Sequence, residues 1–409
     1  MTIPAFDSQI PATAARKVEF VSATSYSGGS ELHPPGSGVD LAAYRQYVRA
    51  LDEAGFDYTL NGYSANSADS FVVASATGLL TERIKPIVAL RPNTTFPLVA
   101  AQKLATLDQL TEGRAVVHLI SGGSDAEQAR QGDYVPKDRR YARTSEYIDV
   151  LRRAWTAKEP FSHEGEFYKF DDFGPGFATY SGEPIPISIG GQSNEAFEVG
   201  GVKADWFTFW GEPLAEVRKE IDRVHAIADR AGRPRQRIWV TFRPIIEATD
   251  ELAWERAYQI LGVLAERARA GQDLARRWIG GNGAPQNKGS QRALGFAGAA
   301  ERYDRALWTP TASATGGAGA STALVGSYET VAAAILDYVD AGADIVSIRG
   351  YDGIVDVEKY GTYILPLVRQ ELAHREATGQ RGTLQAEHLG YYGNDFTSVA
   401  DTAAARARG

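Results

Sequence analysis

The sequence predicts an α/β protein folded as a TIM-type (β/α)8 barrel. Short apolar, β-branched runs alternate with helical patterns. About eight such runs fall between Val18 and Ile348. The links after several of them are short and Gly-rich, which puts small loops at the carboxyl ends of strands, where barrels of this type build their sites. A doubly wound open sheet has the same alternation; the count of eight favours the closed barrel.

The elements follow in order. Val18 to Ala23 is the first strand, and Leu41 to Ala54 has helical spacing and stops at Gly55. Asp57 to Leu60 is a second strand and Phe71 to Leu80 a helix. Ile84 to Leu90 is the third strand, ended by Arg91-Pro92. Leu98 to Leu110 is a helix with Gly113 as its stop signal. Ala115 to Ile120 is the fourth strand and Tyr141 to Trp155 a long helix. Ile185 to Ile189 and Asp205 to Phe209 are the fifth and sixth strands. Ala215 to Ala231 is an amphipathic helix closed by Gly232, and Ile238 to Ile246 is the seventh strand. Val331 to Ala341 is a helix before the eighth strand, Ile345 to Ile348.

Residues 1–16 form an arm, 17–376 the barrel, and 377–409 an extension carrying Tyr391, Tyr392 and Phe396. That aromatic patch either docks on a neighbouring subunit or belongs to an unstructured end. Gly280 to Gly319, rich in Gly, Ala, Asn and Ser, interrupts the repeat before the eighth strand. A segment this long is expected to be a mobile lid over the barrel mouth or a solvated insertion.

Composition narrows the function. The 409 residues carry a net charge of -8, which argues against a nucleic-acid partner. With no cysteine, disulfides, thiolate metal sites and a cysteine nucleophile are excluded. Met1 to Arg16 lack an apolar run and no stretch reaches membrane-span length, so a cytoplasmic location is expected. No histidine has triad-like spacing and no spacing suggests metal ligands, so hydrolase and metal chemistry are unsupported.

The candidate chemistry lies at strand ends. Gly190-Gly191-Gln192-Ser193-Asn194 follows the fifth strand and opens a helix, either as a phosphate seat or as a plain tight turn. In Ser121-Gly122-Gly123-Ser124, small residues would let a flat ring approach the backbone. His118 lies inside the fourth strand, as a core residue or a ligand contact. Arg91 follows the third strand and Arg243 lies within the seventh, each as an anion or peroxide contact or as a structural ion pair. Tyr351 follows the eighth strand, while Trp206 and Trp210 bracket the end of the sixth.

The chain also resembles the flavin-dependent monooxygenases of the bacterial-luciferase type, in particular their alkanesulfonate branch. The resemblance rests on Ala89-Leu90-Arg91-Pro92, Ala105-Thr106-Leu107-Asp108 with Gly113-Arg114, and Arg140-Tyr141. Further along, Gly190-Gly191 with Ser193, Trp210-Gly211-Glu212-Pro213, Gly316-Gly317-Ala318-Gly319 with Thr322 to Gly326, and Gly350-Tyr351 complete the series. It implies a two-component system. An NAD(P)H-dependent reductase supplies reduced FMN (FMNH2), and the oxygenase uses O2 to cleave a small sulfonate to sulfite and an aldehyde. Gly190, Gly191, Gln192 and Ser193 would hold the FMN phosphate beside Tyr141. Ala89, Arg91, His118, Ser121 and Gly122 complete the expected cofactor site. A homodimer or homotetramer is expected.

The departures lie at the substrate end. Thr315 stands where the sulfonate branch has an arginine, and Ser67 replaces a cysteine near the second strand's end. Thr241-Phe242-Arg243 replaces an arginine–histidine pair. Arg292, Arg302, Arg305 or Arg349 would have to compensate. Ser67, Trp210, Arg243 and Tyr351 are therefore the catalytic candidates, and Trp206, Arg292, Thr315 and Arg349 the substrate and lid candidates. Three other readings remain open: oxygenation of a sulfone or non-sulfur metabolite, a deazaflavin-dependent oxidoreductase, and a catalytically silent flavin-binding barrel.

Overall fold

The structure, a computed structural model, describes residues 17–30, 32, 38–174, 177–271, 284–318 and 322–391. The expected N-terminal arm, residues 280–283 and 319–321 of the insertion, and the tail aromatics Tyr392 and Phe396 lie outside the described residues.

Eight parallel strands close into a ring. In chain order they are Glu19–Ala23, Tyr58–Asn61, Lys85–Leu90, Val116–Leu119, Ile187–Gly190, Trp206–Trp210, Arg237–Glu247 and Ile345–Ile348. Each pairs with the next, and the eighth pairs back onto the first, with Val346 opposite Phe20. The strands predicted from the sequence are the eight barrel strands, with ends shifted by no more than two residues. Helices surround the ring. Several begin at polar caps that satisfy otherwise orphaned N–H groups: Asp40 accepts from the amides of Ala42 and Ala43, and Asp69 from that of Val72.

The barrel interior is layered. Alternation along the strands sends Val21, Tyr58, Ile87, Val116, Trp206, Trp239 and Ile345 into one buried cluster. Beneath it, Glu19 pairs with Arg237 and with Lys85 and closes the amino-terminal end. Two residues further along each of those strands, the inward positions become Ala23, Leu60, Ala89, His118, Thr208, Thr241 and Ser347, joined by Ser188 of the fifth strand. A bulky layer thus lies under one that is mostly smaller and more polar, on the side of the strand carboxyl ends.

The seventh strand belongs to two sheets. Trp239 to Phe242 pair with the eighth strand, whereas Arg243 to Glu247 diverge and pair in parallel with the strand Ala323–Ser327. A short hairpin, Arg302–Tyr303 and Leu307–Trp308, extends that outer sheet. The sequence reading left this outer sheet unassigned. It also missed the antiparallel hairpin Phe161–Glu164 with Lys169–Phe173. Over its described residues the expected lid loop is structured: it contains the helices Lys288–Ala299 and Pro310–Ala314 as well as the hairpin. Asn287 caps the first of these, accepting from Ser290 N at 2.7 Å, and Gly316 and Gly317 end the second in left-handed conformations.

The passage from Leu104 to Arg114 is a structural staple. Glu112 and Gly113 turn the chain at positive φ. The Asp108 carboxylate accepts from Ala115 N at 3.3 Å and Tyr180 N at 2.8 Å. Arg114 donates to the carbonyls of Thr111, Ile84 and Gly78 at 2.8, 2.7 and 2.9 Å. Three strand and helix ends therefore share one guanidinium. Replacing it with an isosteric apolar chain, Arg114→Met, is expected to lower unfolding stability by about 2–3 kcal/mol, read as a lower urea midpoint with an unchanged slope.

Candidate functional site

The inward positions near the strand carboxyl ends carry a hydrogen-bonded row. His118 Nδ1 lies 2.9 Å from Ser188 Oγ, and Ser188 Oγ lies 3.1 Å from Thr208 Oγ1. The row crosses three neighbouring strands, because these residues are the inward positions at one level. The His118 ring leans on Trp239 at 5.4 Å between centroids. Burial pushes the His118 imidazole down to about 4, so it is neutral at ordinary pH. The sequence singled out His118 but missed Ser188 and Thr208; two-residue periodicity across adjacent strands was the signal available.

The fifth strand ends in Gly190-Gly191. Tyr141 Oη donates to Gly190 O at 3.0 Å, and burial raises the Tyr141 phenol, keeping it protonated. Gly191 has φ 153°, and a methyl group added there would lie 2.2 Å from Tyr141 Oη. Only bare backbone fits. Ser193 caps the helix Asn194–Lys203, accepting from Ala196 N at 3.3 Å. Gln192 Nε2 donates to Glu212 Oε1 at 3.2 Å, while Gln192 Oε1 is buried with no partner among the described residues. The loop therefore offers backbone amides, a helix N-terminus and one unsatisfied buried acceptor.

The loops after the second, third and fourth strands are tied by Arg91. Its Nη2 pairs with Glu127, whose other oxygen accepts from Ala65 N at 2.8 Å, and its guanidinium lies 5.2 Å from the centre of the Tyr63 ring. Arg91 Nε and Nη1 are buried without a partner among the described residues. Arg91 is thus an ion-pair anchor that also keeps two donors unmatched. Ser121 Oγ lies 2.8 Å from Thr144 Oγ1, and Gly122 turns at φ 91° above Gln128. Ala89 sits at the inward position beside His118.

The remaining candidates separate. Arg243 sits where the seventh strand divides; its Nη2 donates to Gly350 O at 2.7 Å, and its guanidinium stacks 3.7 Å from the centre of the Tyr351 ring. Arg349 lends its carbonyl to Arg243 Nε at 3.4 Å. Trp210 ends the sixth strand at the mouth, under Gly289 of the insertion. Trp206 instead opens that strand, buried against Tyr58 at 5.1 Å, and belongs to the bulky layer rather than the mouth. Four residues of strand separate the two tryptophans by about 13 Å. Ser67 closes its own turn, accepting from Ser64 N at 2.9 Å and donating to Ser64 O and Ala68 O. Thr315 donates to Thr311 O at 2.9 Å within its helix. Arg292 grips Glu212 with both arms, at 2.8 and 2.6 Å.

A model of the luciferase-like monooxygenase family matches residues 18–344. The chain belongs to the luciferase-like monooxygenase family. The structure is similar to that of a riboflavin lyase, RcaE, solved with modified FMN and the substrate riboflavin, at a TM-score of 0.71 and 17% identity over 92% of this chain and 96% of that one. It is also similar to DmoA from Hyphomicrobium sulfonivorans, with a TM-score of 0.68, 20% identity and 94% and 98% of the two chains covered. The EDTA monooxygenase EmoA from Chelativorans sp. BNC1 gives 0.69, 17%, and 92% and 98%. F420-dependent enzymes share the fold too. At these identities the likeness speaks of the fold. No helix among the described residues is long and apolar enough to cross a membrane, and none of their acidic and histidine side chains cluster as a metal site.

The buried imidazole gives this family member a pH signature. An unfolded histidine titrates near 6.5 and His118 near 4, so between those values the unfolded chain binds the extra proton. The contribution of His118 is complete above pH 6.5 and is lost as pH falls toward 4, by about 3 kcal/mol in all. His118→Asn should flatten that part of the stability–pH curve, and the wild-type imidazole should remain neutral by NMR at pH 5.5.

Proposed function

We propose that this protein is the oxygenase of a two-component, FMN-dependent system that uses O2 to oxygenate a small organosulfur compound. The observation that carries the reading is the fifth-strand loop of a luciferase-like barrel: bare backbone at Gly190-Gly191, a helix N-terminus at Asn194, and a buried Gln192 Oε1 awaiting a donor. These residues fit a phosphate-bearing, hydroxyl-rich cofactor tail. When bound, reduced FMN would supply the electrons that activate O2. The protein would supply position and dryness. Gly191, Gln192 and Ser193 would hold the phosphate end beside Tyr141, while Ala89, Ser121 and Gly122 would let the ring lie close to backbone. His118, neutral and held by Ser188, would present Nε2 to the ligand without adding charge. Arg243 and Tyr351 would wall the substrate side, and the insertion over Trp210 would exclude water.

Within this reading, an uncharged sulfone is favoured over a sulfonate by one observation, which also favours the alternative of a non-sulfur substrate. Three of the four arginines that could replace the one missing at Thr315 are engaged elsewhere. Arg292 is bound to Glu212, Arg302 stacks 3.6 Å from the centre of the Trp254 ring, and Arg305 pairs with Asp337 at 2.9 Å. Oxidative cleavage of an alkanesulfonate, with release of sulfite and an aldehyde, remains the other outcome of the same chemistry. We also propose a separate NAD(P)H-dependent FMN reductase as partner. A homo-oligomer is supported by the helices Ser70–Leu80 and Pro97–Leu110, which expose Val72, Leu79, Val99 and Leu110 side by side.

The test combines the protein with a flavin reductase, NAD(P)H and panels of sulfones and sulfonates. Substrate-dependent O2 uptake with an oxygenated product is expected; sulfite from sulfonates would restore the charged-substrate version. No saturable anaerobic complex with FMNH2 would refute the reading, and preferential binding of reduced F420 would replace it with hydride transfer. Gly191→Ala should weaken FMNH2 binding at least tenfold while leaving the far-ultraviolet circular dichroism unchanged.

A further inference from the structure

The loop after the eighth strand is held from behind by one buried carboxylate. Asp356, on the helix Gly353–Lys359, accepts through Oδ2 from Tyr351 N at 2.7 Å and from Asp352 N at 2.8 Å. Its Oδ1 accepts from Arg256 Nη2 at 2.5 Å. Arg256 lies on the helix Asp250–Arg269 and also reaches back to the seventh strand, where Nη1 donates to Ile246 O at 3.4 Å and pairs with Glu247 at 3.3 Å. Glu247 pairs in turn with Lys359 at 2.6 Å. Only a glycine lets the carboxylate come this close to the loop: a methyl group added to Gly350 would lie 2.1 Å from Asp356 Oδ2.

The Tyr351 N–H and the Gly350 C=O belong to one planar peptide group. Asp356 accepts from its N–H, and Arg243 Nη2 donates to its oxygen at 2.7 Å. The plane is thus clamped between a carboxylate and a guanidinium. Turning it would break both bonds together, and would carry away the Tyr351 ring on which that guanidinium stacks at 3.7 Å. An ionised acceptor on the N–H also polarises the carbonyl and strengthens its hold on Arg243. Asp356 and Arg243 are both buried, which keeps water from either bond. Along the seventh strand Arg243 comes two residues after the inward Thr241, toward the mouth. A contact made behind the eighth-strand loop therefore reaches a charged side chain at the front of it.

We propose that Asp356, with Arg256 as its counter-ion, is a positioning residue for Arg243: through the Gly350–Tyr351 peptide it fixes the direction of the guanidinium, and thereby how tightly the site holds an oxygen atom of the substrate. The inference rests on the reading above in making Arg243 part of the substrate wall; the clamp itself does not depend on which cofactor binds. Asp356→Asn separates positioning from packing. The amide keeps the shape of the carboxylate, and its oxygen can still accept from the two N–H groups, but its NH2 then faces Arg256, donor against donor. The pair with Arg256 is lost, the acceptor is no longer charged, and the peptide is free to turn.

Two measurements on the full-length protein test this: proton exchange of the Arg243 guanidinium by NMR, assigned from Arg243→Lys, and O2 uptake with reduced FMN and dimethyl sulfone or methanesulfonate as probes. In Asp356→Asn the guanidinium protons should exchange about tenfold faster, and KM for the probe that turns over should rise about tenfold while kcat and the affinity for FMNH2 stay within about threefold. Gly350→Ala, which pushes the carboxylate away, should do the same. Asp356→Ala should show the same losses, and formate, but not chloride, should reverse them by replacing the missing carboxylate. Unchanged exchange in Asp356→Asn, freed guanidinium protons with an unchanged KM, or losses in Asp356→Ala that formate does not reverse would each overturn the positioning role. If neither probe drives O2 uptake while Asp356→Asn still frees Arg243 and formate still restores it in Asp356→Ala, the clamp stands and the organosulfur reading falls.

Discussion

A change in side-chain volume between two neighbouring layers of one barrel makes the site. Val21, Tyr58, Ile87, Val116, Trp206, Trp239 and Ile345 fill the interior. Two residues further, Ala23, Leu60, Ala89, His118, Thr208, Thr241 and Ser347 do not. The large layer prevents the barrel from collapsing into the space above it, and the Glu19–Arg237 pair seals the far end. Close packing therefore ends at a defined height. The buried hydroxyls and imidazole there satisfy one another instead of drawing in the main chain. Without the tryptophans beneath, the His118–Ser188–Thr208 row would have no floor to rest on.

The seventh strand turns this open barrel into an enclosed one. Its first half completes the ring, and its second half leaves to join Ala323–Ser327. The strand therefore carries the outer sheet, the hairpin and the insertion to the side of the mouth, and it places Arg243 at the fork. A buried guanidinium is costly unless its donors are matched. Here the Gly350 and Arg349 carbonyls and the Tyr351 ring gather around Arg243, tying the eighth strand's loop to the fork. The same divergence lets Thr322 Oγ1 donate to Gly211 O at 2.6 Å, which fixes the turn that presents Glu212 to the insertion.

Charged groups around the mouth hold loops together more often than they point into it. Arg91 with Glu127 and Arg292 with Glu212 join segments far apart in sequence, and Arg143 with Asp133 closes a shorter loop. A sequence shows that an arginine lies near a strand end but not which carboxylate reaches it. That is why an anion contact and an ion pair were equally legible for Arg91. The Gly190 to Ser193 loop was legible for the opposite reason: a glycine pair, a cap residue and a helix are local features whose geometry needs no distant partner. The riboflavin lyase and EDTA monooxygenase folds share this scaffold, and within it the side chains of each member decide the chemistry.

By itself the sequence determined the eight barrel strands, most of the helices, the Gly-rich turns and the family, because strand period, caps and glycine stops act over a few residues. It did not determine that Trp206 lies in the floor while Trp210 lies at the mouth, since both face inward on one strand and only the barrel's depth distinguishes them. Nor did it show that the Gly- and Ala-rich insertion folds into helices. Those helices are weakly patterned on their own and are held by Asp125, Lys137, Glu212 and the outer sheet, partners supplied only when the closed ring brings the ends of its fourth, sixth and seventh strands together.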